Sequence, residues 1–180
     1  SASSKTGLGL TAFLAKHVGR PYKVVGLTSG GNAEFVKNLG FCDQVLTYDE
    51  VETLNKVKSV YVDMAGNGDV KKRLHTWLEG YLAHSSAVGI SHWDQFVSQA
   101  DLVGPKPQFF FAPSQILKRK KDWGKGVIED KISEATQMIV KDAKRWLTLE
   151  THVGLMAGMA PYAELAAGKA DPKTGHVVLV

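Results

Sequence analysis

Two stretches near the start of the chain decide the fold: Ser1-Ala2-Ser3-Ser4-Lys5-Thr6-Gly7-Leu8-Gly9, and Lys23-Val24-Val25-Gly26-Leu27-Thr28-Ser29-Gly30-Gly31-Asn32. The first opens a segment whose apolar residues recur at helical spacing. The second predicts a short buried strand that ends in a turn of small residues. A small-residue turn, a helix and a buried strand in this order are typical of a parallel α/β fold.

The rest of the chain alternates predicted strands with predicted helices. Apolar runs predict strands at Lys23–Leu27, Gln44–Thr47, Ser59–Met64, Tyr81–Ile90, Phe109–Phe111 and His176–Val180. Helical spacing predicts helices at Thr6–Val18, Ala33–Leu39, Asp69–Leu78, Pro113–Trp123, Ile128–Leu147 and Leu155–Ala167. This alternation indicates βαβ units. We therefore expect an α/β, doubly wound parallel sheet, with Lys23–Leu27, Ser59–Met64 and His84–Val88 as its inner strands.

The first strand of such a sheet is missing from the pattern. In a doubly wound fold that strand feeds the first helix through a phosphate-binding turn, and here the turn and helix stand without it. A central gap would leave a row of unpaired backbone groups beside Lys23–Leu27. We expect upstream polypeptide or another chain to complete the sheet. Residues 1–180 would then be one dinucleotide-binding domain, a fragment of a two-domain protein.

Composition excludes several classes of protein. The 180 residues include 22 Lys and Arg and 18 Asp and Glu, and the hydrophobic fraction of 44% supplies a core. No apolar run reaches the roughly 18 residues of a membrane span. The single Cys42 excludes an intrachain disulfide. The basic run Lys118–Lys121 is typical of a solvated helix face, so we expect a cytoplasmic protein with no nucleic-acid or membrane partner.

The N-terminal turn is the first candidate binding site. A helix N-terminus offers free N–H groups and a partial positive charge, which suit a pyrophosphate. Lys5 adds a full charge, and the hydroxyls of Ser3, Ser4 and Thr6 add hydrogen bonds. The alternative is a plain serine-rich helix cap.

The turn after the second stretch is the next candidate. In dinucleotide folds an acidic residue at this position holds the adenosine ribose, and no acid stands between Thr28 and Asn32. Ser29 and Asn32, with the amides of Gly30 and Gly31, would instead tolerate a 2′-phosphate. The alternative is an ordinary capped turn.

Small residues also follow two later strands. Ala65, Gly66 and Gly89 lie where ligands of open α/β sheets bind, and they would let a flat ring approach the backbone. Simple turn formation is the alternative for these positions. His92 follows soon after and is a candidate for a catalytic residue, with a structural role as the alternative. The six histidines contain no pair at metal-ligand spacing, and we assign no metal.

The order of these motifs resembles the cofactor-binding half of medium-chain dehydrogenases/reductases. The resemblance is carried by Ser3–Gly9, Val24–Ser29, Leu39-Gly40, Tyr61–Gly66 and Gly175–Leu179, and covers nearly the whole chain. The quinone-oxidoreductase-like branch is nearest, and an uncharacterised family related to that superfamily is nearer still. Ser4-Lys5 stands where the superfamily usually has a glycine pair.

The resemblance implies a Rossmann-like fold and an NADP-dependent reductase, with NAD as the other cofactor. Such an enzyme transfers hydride to or from a carbonyl or an activated alkene of a small-molecule substrate. It also implies an upstream GroES-like domain, and it leaves a homodimer open. By position, Ser3–Thr6 would cradle the pyrophosphate, Ser29 and Asn32 would face the adenosine ribose, and Gly89 would face the nicotinamide. A non-catalytic Rossmann module for assembly or nucleotide sensing is the alternative.

Overall fold

The computed structural model describes residues 1–89 and 101–180. The chain divides into two compact units, Ser1–Phe110 and Phe111–Val180. All strand pairs among the described residues are parallel, and helices separate most of the strands. The predicted α/β class with parallel strands is therefore confirmed. Among the described residues, no helix has the length and apolar character needed to span a membrane.

The described residues of the first unit form five strands in two parallel sheets. Its strands are β1 (Val25–Thr28), β2 (Gln44–Thr47), β3 (Ser59–Asp63), β4 (Leu82–Ala87) and β5 (Gln108–Phe109). Its helices are α1 (Lys5–Lys16), α2 (Gly30–Leu39) and α3 (Gly68–Trp77), with a 3₁₀ helix at Tyr48–Thr53. β1 pairs with β2, and β4 lies between β3 and β5.

The strands form small sheets rather than the continuous sheet that we expected. Of the three predicted inner strands, β4 has a strand on each side. β1 and β3 each pair with one described strand. Continuous apolar runs indicate that a strand is buried. A strand can be buried by packing beneath a helix without having an inner position in the sheet.

Capping residues define the helices of this unit. Ser4 caps α1, Asn67 caps α3, and Gly40 ends α2 with a φ of 72°, a left-handed conformation that glycine adopts without strain. The turn at Thr28–Asn32 is shorter than we expected. Ser29 is the N-cap of α2, and Asn32 lies inside the helix. Helix propensity failed to locate this start because Gly30 and Gly31 are weak helix formers.

The core of the first unit lies under α3. Val70, Leu74 and Leu78 recur every four residues along one face of the helix and pack with Val51 and Leu82. Leu27 from β1 and Tyr61 from β3 are partly buried against the same cluster. Both sheets of this unit therefore pack against one hydrophobic core.

The second unit is a helical pair followed by a βαβ unit. Its elements are α4 (Ala112–Trp123), α5 (Val127–Ala143), β6 (Thr148–Val153), α6 (Leu155–Ala166) and β7 (Thr174–Leu179). β6 and β7 pair in parallel along their full lengths. Strand β6 was not predicted, and the preceding helix was predicted to extend to Leu147, beyond its observed end at Ala143. Phe111 was predicted to lie in a strand, whereas this residue is the N-cap of α4.

Candidate functional site

The turn before α1 is held by its own serines. The Ser4 hydroxyl accepts a hydrogen bond from Gly7 N at 3.1 Å and donates one to Ser1 O at 3.0 Å. A Cβ atom at Gly7 would lie 2.4 Å from Ser1 O, so only glycine leaves room for the backbone here. Ser4 therefore uses its side chain to begin the helix.

Ser3 ties this turn to the carboxyl end of β1. Its hydroxyl accepts hydrogen bonds from Thr28 Oγ1 at 3.1 Å and from Asn32 Nδ2 at 3.2 Å. Ser1 Oγ lies 2.9 Å away from the same hydroxyl. Ala2 N donates to Leu27 O at 2.8 Å. Ser3 is 7% exposed, so this small polar network is largely shielded from water.

Asp63 organises the carboxyl end of β3. Its Oδ1 accepts hydrogen bonds from Ala65 N at 3.1 Å and Gly66 N at 2.8 Å. Lys71 Nζ lies 3.0 Å from Oδ2, and the carboxylate is 3% exposed. Gly66 has a φ of 73°, which the tight turn around the carboxylate requires. A buried carboxylate with these partners fixes the backbone that follows the strand.

The end of β4 meets the end of β3. Val88 N and Gly89 N donate to Asp63 O at 2.9 Å and 3.2 Å. A Cβ atom at Gly89 would lie 2.1 Å from the Met64 carbonyl oxygen. Glycine is needed at this position because the two segments approach each other so closely.

Tyr48 lies near both Ser1 of the first turn and Asp63 at the end of β3. Burial raises the pKa of its phenol and the nearby Asp63 charge adds to this, whereas the interaction with Ser1 opposes it. Burial also raises the pKa of Tyr61 well above its usual value, and Asp63 adds to the effect. Both phenols therefore stay neutral around Asp63 at physiological pH.

A family model described as "Protein of unknown function (DUF2855)" matches residues 1–171. The chain belongs to this DUF2855 family. No curated protein matches the sequence.

The predicted site residues of this DUF2855 protein fall into two groups. Ser3, Ser4, Asn32 and Ala65 form the first group and are engaged in the hydrogen bonds given above. The exposed group contains Lys5, Thr6 and Ser29, with Gly66 and Gly89 partly exposed. His92, the catalytic candidate, lies outside the described residues. The structure thus joins Ser3 to Asn32, and Gly66 to the strand end that carries Gly89.

His75 is a polar residue of the DUF2855 core that the sequence analysis missed. It is 1% exposed, its Nδ1 donates to Val103 O at 2.9 Å, and its Nε2 accepts from Ser85 Oγ at 3.0 Å. Burial lowers the pKa of this imidazole. The sequence signal for this role was its position next to Leu74 on the apolar face of α3. A histidine buried there needs hydrogen-bond partners inside the protein.

Proposed function

We propose that this DUF2855 protein is the cofactor-binding half of an NAD(P)-dependent oxidoreductase with a Rossmann-like, doubly wound sheet. One observation carries the proposal: small-residue turns from separate parts of the chain converge on the carboxyl ends of parallel strands. Ser3 binds the first turn to the end of β1, and Asp63 binds the turn after β3 to the end of β4. Open α/β sheets bind nucleotides along this rim.

The exposed residues fit the anionic and sugar parts of a dinucleotide. Lys5 and Thr6 begin α1, where a cation and backbone N–H groups favour a pyrophosphate. Ser29 makes no side-chain cap bond, and a Cβ atom at Gly30 or Gly31 would meet no atom within 4 Å. This space and the absence of an acidic residue suit an adenosine ribose, with NADP preferred and NAD as the alternative. Ser3, Ser4 and Asn32 would shape the turn.

The bound nicotinamide would supply the hydride chemistry with a carbonyl or an activated alkene. The residues of this chain would hold and orient the dinucleotide. Gly66 and Gly89 would border it, because neither position carries a side chain. We also propose that a GroES-like domain or another chain lies beside β1, whose described neighbour is β2 alone.

The test is a titration of the full-length protein with NADPH, in which NADPH fluorescence reports binding. We expect saturable binding in the wild type. Lys5→Ala removes a charge-assisted contact worth roughly 1.5–3 kcal/mol, so the dissociation constant should rise by about one to two decades. Lys16→Ala is the matched control, because it removes a lysine from the other end of the same helix. Added salt should reduce the difference between Lys5→Ala and wild type.

An unchanged affinity in Lys5→Ala would remove this lysine from the site. The absence of saturable NADPH and NADH binding in the wild type would refute the oxidoreductase proposal. It would favour a non-catalytic Rossmann module that serves assembly. That alternative is supported by the internal hydrogen bonding of Ser3, Ser4 and Asn32, which leaves these side chains engaged without any ligand.

A further inference from the structure

Three potential metal ligands share one face of the β6–β7 sheet. Glu150 and His152 are two residues apart on β6, so their side chains lie on the same face. In the parallel register Glu150 is opposite His176, and His152 is opposite Val178. His176 and Val178 are also two residues apart, which places all these side chains on one face.

The ligand atoms are close enough to share an ion. His152 Nε2 lies 3.0 Å from His176 Nδ1, and Glu150 Oε2 lies 3.6 Å from the same nitrogen. One ligand atom from each residue can be chosen so that all three lie within 4.8 Å of one another. Tetrahedral Zn²⁺ with ligand bonds of 2.0–2.2 Å separates its ligands by about 3.3 Å. Small side-chain rotations would therefore bring the three atoms to bonding distance.

We propose that Glu150, His152 and His176 form a Zn²⁺-binding site. Two imidazoles and a carboxylate are a ligand set that zinc takes in proteins, and three protein ligands leave the fourth position for water or another small oxygen ligand. His152 Nε2 and His176 Nδ1 now share one proton in a hydrogen bond. The metal replaces that proton and is coordinated by both nitrogens in their unprotonated form.

The surroundings hold the imidazoles more firmly than an open surface would. Helix α6 packs on the same face, because a Cβ atom at Gly158 would lie 2.8 Å from Val178 Cγ2. The His176 side chain is 14% exposed, whereas Glu150 is 54% exposed. The site thus combines shielded nitrogen ligands with a carboxylate that reaches water, which gives the ion an entry path. It uses no residue of the proposed dinucleotide site.

The test is Zn²⁺ titration of the full chain by calorimetry after treatment with a chelator. We expect one ion per chain. Glu150→Gln, His152→Gln and His176→Gln should each weaken binding by at least about tenfold, since even loss of a residue that only supports a ligand costs 10–100-fold. His17→Gln is the matched control, because it removes an exposed imidazole from the first unit. It should bind zinc like the wild type.

Circular dichroism in chelator checks that each variant keeps the wild-type fold. If a histidine variant fails this check, Glu150→Gln decides the matter alone, because it changes an exposed carboxylate to an amide of the same shape. The proposal is overturned if the wild type binds no zinc. It is also overturned if the correctly folded variants bind zinc as tightly as the wild type, since the ion would then lie elsewhere.

Discussion

Asn32 donates a side-chain hydrogen bond to the hydroxyl of Ser3 across 3.2 Å. Thr28, which is fully buried, donates to the same oxygen at 3.1 Å. Because the Ser3 hydroxyl accepts both of these bonds, its single proton is available to Ser1 Oγ, 2.9 Å away. One hydroxyl therefore joins the first turn, the end of β1 and the first turn of α2.

Ser3→Ala is expected to lower the free energy of unfolding by about 1–3 kcal/mol. The substitution leaves the buried Thr28 hydroxyl and the Asn32 amide without their acceptor, and an unsatisfied buried polar group costs that much. Ser29→Ala is the control, because its exposed side chain makes no cap bond and should change stability by no more than about 0.5 kcal/mol. Urea unfolding measures both. Equal free energies of unfolding for Ser3→Ala and the wild type would show that the network contributes nothing to stability.

Two glycines of α1 should respond in opposite directions to alanine. At Gly7 the added methyl group would lie 2.4 Å from Ser1 O, and we expect a loss of about 1–3 kcal/mol from overpacking. At Gly9 nothing lies within 4 Å, so alanine should stabilise the helix by about 0.5–1 kcal/mol. Thermal unfolding of both variants checks the pair. A stabilising Gly7→Ala would contradict the tight turn described here.

Local patterns predicted the elements whose signals are strong and close in sequence. The strand Gln44–Thr47 was predicted with its observed ends, and the helix predicted at Ala33–Leu39 ends at Leu39 as observed. Ser3, Ser4 and Asn32 were predicted to belong to a dinucleotide site, and that role stays a prediction. The hydrogen bond between Ser3 and Asn32 could not be predicted, because the two residues are 29 positions apart and meet only in the fold.

The second unit was predicted less well for a physical reason. Strand β6 carries alternating polar residues, and five of its six residues are exposed, so it lacks the apolar run of a buried strand. Without β6 there was no register to bring Glu150 and His152 against His176. Metal-ligand spacing along the chain was therefore uninformative, since these residues come together through strand pairing.

Ser29→Asp should weaken NADPH binding more than NADH binding, if the proposed dinucleotide site is correct. The new carboxylate would repel a 2′-phosphate, and we expect the ratio of the two dissociation constants to shift by about tenfold, or 1.4 kcal/mol. Unfolding would not explain the loss, because aspartate is a favourable N-cap for α2. Ser29→Asn is the neutral control. Fluorescence titrations with both nucleotides provide the ratio, and equal effects on both would place Ser29 away from the 2′ position.

His75 should make the protein less stable as the pH falls below about 6.5. Burial lowers the pKa of this imidazole below its ordinary value of 6.5, with a further contribution from the Lys71 charge, although the Val103 hydrogen bond and Asp63 oppose it. Below pH 6.5 the unfolded chain takes up a proton that the folded chain does not. The free energy of unfolding therefore decreases as the pH is lowered from 6.5 to the lowered pKa of the folded state. Above pH 6.5, His75 adds no pH dependence.

The variant His75→Asn isolates this contribution. Its amide can still donate to Val103 O, but it leaves Ser85 without a partner, so stability at pH 8 should drop by about 1–3 kcal/mol. The further loss between pH 7 and pH 5 should be smaller than in the wild type, because the titrating group is gone. His17→Gln, which removes an exposed imidazole, is the control. Urea unfolding at several pH values measures all three proteins, and an equally steep acid loss in His75→Asn would assign the pH dependence to other groups.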